Sequence, residues 1–472
     1  MAGTYPYAVN CIICNQTAVT LTLVSSSYSN GEWGTQPPQT IDKLSSSKPF
    51  GTNNTSIGAA GSVTYGATLE FDLQIALQIE WSVNEAGTGY QYTITPPWAY
   101  TCLAYAGSGG VNPNPADVNL VFFPTTDPEN WMQDNIGTLG SRTLKQICIP
   151  GSHDAGMSTF GPGSTVGAAP CNTLTQTTGI AGQLASGARY FDIRPVISDG
   201  NYDTGHYSGS MGADGQSISS VISDINAFTA NHNELIILYL SHDCDTDSAG
   251  YPAFNEIQWQ ALFDQMYGPD HMGGLNHLFT GQSDTIYLDT EKIENFICPN
   301  NTQPRPCVLV VIDPEDTSMK SFLAGFAQDG VFTSANYDPY NCYADKQSTP
   351  DMIADQVGKM ILQEHPLPPA TPKYFLFSWT LTQSDYDAVM CGFGSTARPA
   401  ILDLVVGCNP LVFSQLLPNC NYTTFPNILL MDDFNNQNAS AAFGDQYYPY
   451  QTTFPYDAAV TDLVMAINLH NT

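Results

Sequence analysis

Six short apolar runs between residues 146 and 431 constrain the fold of this chain more than any other feature: 146–149, 188–193, 235–240, 307–312, 374–378 and 428–431. Amphipathic stretches separate or follow them. One is 217–228, with Ile218, Val221, Ile222, Ile225 and Phe228 on one helical face; the others are 254–266, 319–326, 350–362, 401–417 and 458–469. Strands that are apolar on both faces and alternate with helices predict a parallel α/β sheet. The strand ends favour a barrel over an open sheet. His153-Asp154, Asp192 and Arg194, Ser241-His242-Asp243, Asp313, Ser378-Trp379 and Asp432-Asp433 put polar or ionisable groups where barrel strands finish, and barrels assemble their sites from those ends. No glycine-rich phosphate loop follows the first strand, which argues against a nucleotide enzyme.

The first part of the chain follows a different period. Residues 17–24 alternate, and 68–81 do so more clearly, with Leu69, Phe71, Leu73, Ile75, Leu77, Ile79 and Trp81 on one face. A period of two indicates half-buried strands, and Gly and Ser-Asn turn signals punctuate them. The expectation is an all-β sandwich over residues 1–105. A Gly-, Pro- and Asn-rich linker then covers 106–128, interrupted by the apolar run 118–123, which reads either as a return to the first domain or as the opening of the second, and a distorted TIM-type (β/α) barrel covers 129–472.

Charge narrows the partners. The formal net charge is −31 although only 12% of residues are charged, so Lys and Arg are scarce and acidic runs are absent. Such a surface argues against nucleic acid and against electrostatic docking on anionic lipid. Peripheral contact with a phospholipid surface then falls to aromatic and apolar loops. The loop 155–179, with Met157, Phe160 and Cys171, reads either as an apolar mouth or as a solvated surface loop. No run approaches the roughly 18 apolar residues of a membrane span. The first residues lack a basic region followed by an apolar one, so the expected location is cytoplasmic, or outside the cell by another route. The 12 cysteines show no readable disulfide framework, and Cys11 and Cys14 read as small core residues in a β-rich run. Nothing in the composition addresses oligomeric state.

The chemistry is concentrated in residues 149–206, which hold His153, Asp154, Asp192, Arg194 and His206. Two imidazoles can divide general-base and general-acid work near neutral pH. The arginine supplies a permanent planar charge suited to a phosphoryl group. Any one of these motifs is more often structural; their joint occurrence at strand ends points to displacement at phosphorus.

Trp131-Met132, Ile149-Pro-Gly-Ser-His153-Asp154, Gly187-Ala-Arg-Tyr-Phe-Asp192-Ile-Arg194, Gly205-His206 and Ile428-Leu-Leu-Met-Asp432 occur in an order that resembles the catalytic X domain of bacterial-type phosphatidylinositol-specific phospholipases C. The resemblance implies a distorted TIM-type barrel and cleavage by internal attack of the inositol 2-hydroxyl. It implies His153 as general base, Asp432 as its orienting partner and Arg194 as the stabiliser of phosphate charge. His206 becomes the general acid, paired with Asp154. Arg194 stands where calcium-dependent relatives carry a carboxylate ligand, so no metal and no other cofactor is expected. The chain departs from the bacterial pattern at Ser241-His242-Asp243, where relatives have a lysine, and at Ile312-Asp313-Pro314, where they have an arginine. Asp345 matches the relatives' inositol-binding aspartate, and Asp192, Asp313 and Trp379 are further substrate-binding candidates. The departures leave the head group open, glycosylated inositol lipids included.

A second resemblance rests on Gly31-Glu-Trp33, Pro37-Pro38, Ile41 and Gly61-Ser-Val-Thr-Tyr65-Gly66, which are similar to aegerolysin-type sandwiches and imply lipid binding. On the plainer reading Trp33, Tyr65 and Trp81 are core. The leading reading is thus a lipid phosphodiesterase. Its competitors are a lipid- or glycan-binding, toxin-like protein with a silent barrel, and a metal-dependent phosphodiesterase.

Overall fold

A computed structural model describes residues 7–55, 58–68, 74–83, 90–97, 100–106, 116–267, 274–280, 287–299, 303–364, 373–395, 399–409, 411–416, 419–421, 423–434 and 459–470. The chain divides into two compact units, Met1–Thr126 with Leu411–Tyr422 and Asn438–Thr472, and Asp127–Pro410 with Thr423–Gln437.

The first unit contains β1 (Tyr7–Asn15), β2 (Leu21–Asn30), β3 (Glu32–Thr35), β4 (Thr40–Ile41), β5 (Ser45–Ser46), β6 (Gly51–Asn54), β7 (Ala59–Thr68), β8 (Gln74–Val83), β9 (Tyr90–Thr95), β10 (Tyr100–Ala106) and β11 (Ala116–Pro124). One sheet runs β10-β11-β1-β6-β3 with β5 also on β1, and the other runs β4-β2-β7-β8-β9. Alternation along β8 drives Ile75, Leu77, Ile79 and Trp81 into one cluster with Val9, Cys11, Ile13 and Phe122 from the other sheet. Leu69, Phe71 and Leu73, expected on the same face, lie outside the described residues. Tyr65 and Trp81 are core and Trp33 packs against it, while Cys11 and Cys14 are buried free thiols.

The expected boundaries change here. Residues 116–124, assigned to a linker, form β11, which pairs in parallel with β1 from Val9↔Ala116 to Asn15↔Phe122. The apolar run 118–123 is what draws this segment into the core, burying Val118, Leu120 and Phe122. Nor is 129–472 one continuous body. The helix Ala459–His470 belongs to the first unit, where Val460, Leu463, Val464 and Ile467 are buried. The glycine- and asparagine-rich residues 107–115 lie outside the described residues.

In the second unit an eight-stranded parallel sheet comprises β12 (Ile149–Ser152), β13 (Tyr190–Ile193), β17 (Leu235–Ser241), β19 (Cys307–Asp313), β20 (Val331–Thr333), β21 (Tyr340–Asn341), β22 (Phe375–Trp379) and β23 (Ile428–Met431). Between its second and third strands the chain adds β14 (Pro195–Ser198), β15 (Asn201–Ser208) and β16 (Met211–Ser217), and β18 (Cys244–Asp245) completes that separate small sheet. Each sheet strand except β21 neighbours the sheet strand that precedes it in the chain, and the last, β23, pairs with the first, β12. That order is a ring, an α/β barrel with its hydrogen-bonded path open between β20 and β21 among the described residues. The six expected strands are present. The expected run 146–149 becomes a strand only from Ile149, because Leu144–Gln146 form a helical turn. Two strands of this parallel sheet went unread, β20 and β21, at three and two residues too short to show a period.

Helices Ile218–Thr229, Glu256–Tyr267 and Thr349–Glu364 occupy expected positions. The Ser217 hydroxyl caps the first by accepting from Ser220 N–H. The expected helix 401–417 splits into Ile401–Val406 and Leu411–Gln415, and 319–326 becomes short helical pieces.

Arg189, inside the motif that precedes Asp192, is structural. It is fully buried, bonds Glu234 at 3.0 Å and donates to the carbonyls of Leu184, Ala188, Pro128 and Glu129. Glu234 in turn accepts from Met132 and Gln133 N–H, so the pair ties the segment entering the barrel to the start of β17. Trp131 donates to Gly187 carbonyl in the same region, which explains the conjunction of Trp131-Met132 with the Gly187-Ala-Arg stretch.

Candidate active site

Three strand ends of the parallel sheet turn through non-glycine residues in the left-handed region: Asp154 (φ 43°) after β12, His242 (φ 56°) after β17 and Asp433 (φ 47°) after β23. Such backbone is uncommon outside glycine, and where surroundings enforce it, it is often part of a functional site. The turns at β12 and β23 bring His153 and Asp432 together. His153 Nδ1 lies 2.6 Å from Asp432 Oδ1, with Asp432 almost fully buried and the imidazole one-fifth exposed. Gln176 holds both strand ends, because its amide nitrogen donates to the carbonyls of His153 and Met431 while its oxygen accepts from Phe434 N–H.

Asp154 points the other way. Its Oδ2 receives His206 Nδ1 at 2.5 Å and lies 3.4 Å from Arg194 Nη1. His206 comes from β15 of the small sheet, and Arg194 from the junction of β13 and β14. Arg194 thus stands among three groups, with Nη2 at 3.2 Å from Asp192 Oδ2 and 2.7 Å from His153 Nε2. A guanidinium only donates, so Nε2 is the acceptor in that contact and Nδ1 carries the proton toward Asp432. With that proton placement His153 is the neutral tautomer whose acceptor lone pair is at Nε2, facing Arg194.

The electrostatics follow. Burial alone would raise the Asp192 carboxyl, but Arg194, His153, His242 and the Asp154 N–H outweigh it and bring its pKa down to about 2. Burial would lower Arg194, yet Asp154 and Asp192 hold it above its ordinary value. For His153, burial and Arg194 press the pKa down. The charge and hydrogen bond of Asp432, with Asp192, overcome them and leave it raised. A carboxylate behind an imidazole makes it the stronger base.

These side chains open onto a cavity of about 460 Å³ lined by His153, Arg194, His206, His242 and Asp432, with Asn172, Thr173, Tyr343, Thr382, Gln383 and Asp385 among the others on its wall. The disulfide Cys171–Cys391 joins the helix Pro170–Thr173 to the helix Asp385–Gly392, and both contribute to that wall.

All five expected catalytic residues therefore meet. The four substrate-binding candidates do not line the cavity. Asp192 is buried behind Arg194 and acts on it. Asp313 pairs with Lys320 at 2.8 Å, Trp379 is fully buried in the barrel, and Asp345 is an exposed residue elsewhere. Met157, expected in an apolar mouth, is core instead. The polar wall from Thr382 to Asp385 and the clamp Gln176 were not anticipated; they sit in loops and short helices without a periodic or motif signal.

No family model matches the chain. Curated relatives do. The 1-phosphatidylinositol phosphodiesterase of Staphylococcus aureus (strain Newman) is 33% identical over 147 residues, 29% of this chain and 44% of that protein. PI-PLC X domain-containing protein 3 of Bos taurus is 29% identical over 134 residues, 24% of this chain and 41% of that protein. Over these stretches the chain is similar to phosphatidylinositol-specific phospholipase C X-domain proteins, which supports that family. The match spans less than half the length of these X-domain relatives. A crystal structure of phosphatidylinositol-specific phospholipase C from Staphylococcus aureus aligns with 72% of this chain and 97% of its own, at 16% identity and a TM-score of 0.46. The segments that resemble X-domain motifs are those that carry His153, Arg194 and His206 to one cavity, with Asp154 in contact with His206 and Arg194.

Proposed function

We propose that the barrel cleaves the phosphodiester of a phosphatidylinositol-type lipid, releasing diacylglycerol and a cyclic inositol phosphate. The observation that carries this reading is the pair of imidazoles at one cavity, each backed by a buried carboxylate, with a guanidinium between them. His153 Nε2 takes the proton of the inositol 2-hydroxyl, whose oxygen forms the new bond to phosphorus. The bond from phosphorus to the glycerol oxygen breaks, and His206 delivers a proton to that oxygen. Arg194, released from Nε2 as substrate enters, donates to the non-bridging phosphate oxygens, where charge builds in the transition state. One histidine must be neutral and the other protonated at the start, and the two roles reverse by the end.

Metal independence is part of the proposal. Arg194 supplies the positive charge between Asp154 and Asp192 that a divalent ion would otherwise bring. Access to lipid is proposed through apolar side chains of the same unit. Tyr343 and Val389 line the cavity and are exposed, and Tyr386 and Phe393 lie exposed on or beside the helix that carries Val389. Among the described residues no helix is long and apolar enough to cross a membrane. The two-sheet unit is proposed as a lipid- or glycan-binding module.

The test is hydrolysis of phosphatidylinositol-containing vesicles in chelator, followed by phosphorus NMR. Wild type is expected to give a cyclic inositol phosphate, and His153→Ala to lower turnover by about 10³-fold while staying folded. Vesicle binding without product from wild type would favour a silent barrel, and activity lost only on chelation would favour a metal mechanism.

A further inference from the structure

We infer that His242 is a head-group-binding residue whose Nε2 accepts a hydrogen bond from a hydroxyl of a neutral polyol head group in the cavity. The inference rests on the phosphodiesterase reading and adds to it the chemistry by which the head group is held. His242 follows β17 directly, in left-handed backbone at φ 56°. Its side chain is exposed to solvent and lines the cavity beside His153, Arg194 and Asp432.

The tautomer follows from counting protons. Asp192 is ionised, as Arg194 and the Asp154 N–H dictate, and both donate to its Oδ2. Its Oδ1 faces the Ser241 hydroxyl at 3.3 Å. A carboxylate only accepts, and a serine hydroxyl has one proton, so that proton goes to Asp192. Ser241 Oγ is also 2.8 Å from His242 Nδ1 and must accept there. His242 is thereby fixed with its proton on Nδ1, leaving the Nε2 lone pair without a hydrogen-bond partner among the described residues. An acceptor of this kind, on a wall with Thr173, Thr382 and Gln383, suits hydroxyl donors. No lysine is among the described residues that line the cavity, and Arg194, held by Asp154 and Asp192, is taken up by the reacting phosphate in the proposed reaction. A head group bearing further phosphates would therefore meet no uncommitted permanent cation on this wall.

The test begins with the full wild-type chain, uniformly labelled with nitrogen-15, observed through its imidazole nitrogens and titrated with myo-inositol. The expected result is an Nδ1–H tautomer for His242 with Nε2 shifting as inositol is added. A His242 in the Nε2–H tautomer overturns the inference, as does a His242 that stays still while His153 or His206 responds. Steady-state hydrolysis supplies a second arm. His242→Ala is expected to raise KM roughly tenfold with kcat nearly unchanged, in line with one lost hydrogen bond, and His242→Gln, which keeps an acceptor, to recover part of it. Ser241→Ala is expected to mix the two tautomers and raise KM by less. An unchanged KM in His242→Ala overturns the inference. The NMR arm needs no turnover, so a chain that binds inositol through His242 yet hydrolyses nothing defeats the phosphodiesterase reading alone.

Discussion

Asp192 and Asp462 are both buried aspartates, one in each compact unit, and their pKa values part in opposite directions. Asp192 lies beside Arg194 and is drawn down to about 2. Asp462, on the helix Ala459–His470, is pushed by burial up to about 7, against hydrogen bonds from Thr126 N–H at 3.2 Å, the Thr126 side chain and the Thr101 hydroxyl at 3.5 Å. Both sites are nearly dry, so burial is not what separates them. The difference is a cation within the same site. In the barrel the desolvation of carboxylates is offset by Arg194 and the imidazoles, which makes a charged and reactive cluster possible. In the first unit an uncompensated carboxylate keeps its proton and serves as a hydrogen-bonding core group.

Removing the cation should break the contrast most severely. Arg194→Met leaves Asp154 and Asp192 buried with neither ion pair. It is expected to lower turnover by about 10²–10³-fold and destabilise the barrel by about 3 kcal/mol, read from vesicle hydrolysis and denaturant unfolding. An enzyme of full stability and activity would show that the pairing is decorative.

Asp462→Asn sharpens the other side. A carboxyl that keeps its proton in the folded state up to about 7 contributes stability below the unfolded value of about 4 and loses it as pH rises from there to about 7. Across that window wild type is expected to lose at most about 4 kcal/mol, and the Asn variant to show a flatter profile in urea midpoints. Asp192 works in the opposite sense, because its depressed pKa costs stability only as pH falls from about 4 toward 2. The two windows do not overlap, so a pH series separates them.

A smaller change concerns the base. Asp432 is the main group raising His153, so the acid limb of kcat/KM, where His153 must lose its proton, is expected to move to lower pH in Asp432→Asn. A limb that stays in place would detach His153 from the rate. Smallest of all, Asp313→Asn and Asp345→Asn are expected to change turnover by less than about twofold, as for ordinary surface substitutions. Neither residue lines the cavity.

The site was legible where chemistry sits at a strand end inside a recognisable local string. His153, Asp154, Arg194 and Asp432 are of that kind, while His206 lies within β15 and was legible from its string alone. Asp313 and Trp379 share the signal without sharing the cavity, because a strand end specifies height on the barrel but not which way the side chain turns; Asp345 rested on the family resemblance alone and lies beyond the end of β21. Trp379 points into the packed interior, and Asp313 turns to Lys320. The boundary at residue 105 failed for a related reason. The apolar run 118–123 announces a strand but not the parallel partner β1, about a hundred residues earlier, that claims it.

By itself, then, the sequence determined the periods: two in the first unit, a buried strand followed by a helix in the second, and polar punctuation at the strand ends. Those are local consequences of side-chain alternation and burial. The pairing of each imidazole with its carboxylate was implied by the family resemblance and not by any local period, and only the tertiary structure decided that Arg194 lies among Asp154, Asp192 and His153, and that Cys171 meets Cys391 across 220 residues. Such pairings are set by ring order and by the direction each strand end turns, and no local run of residues encodes either.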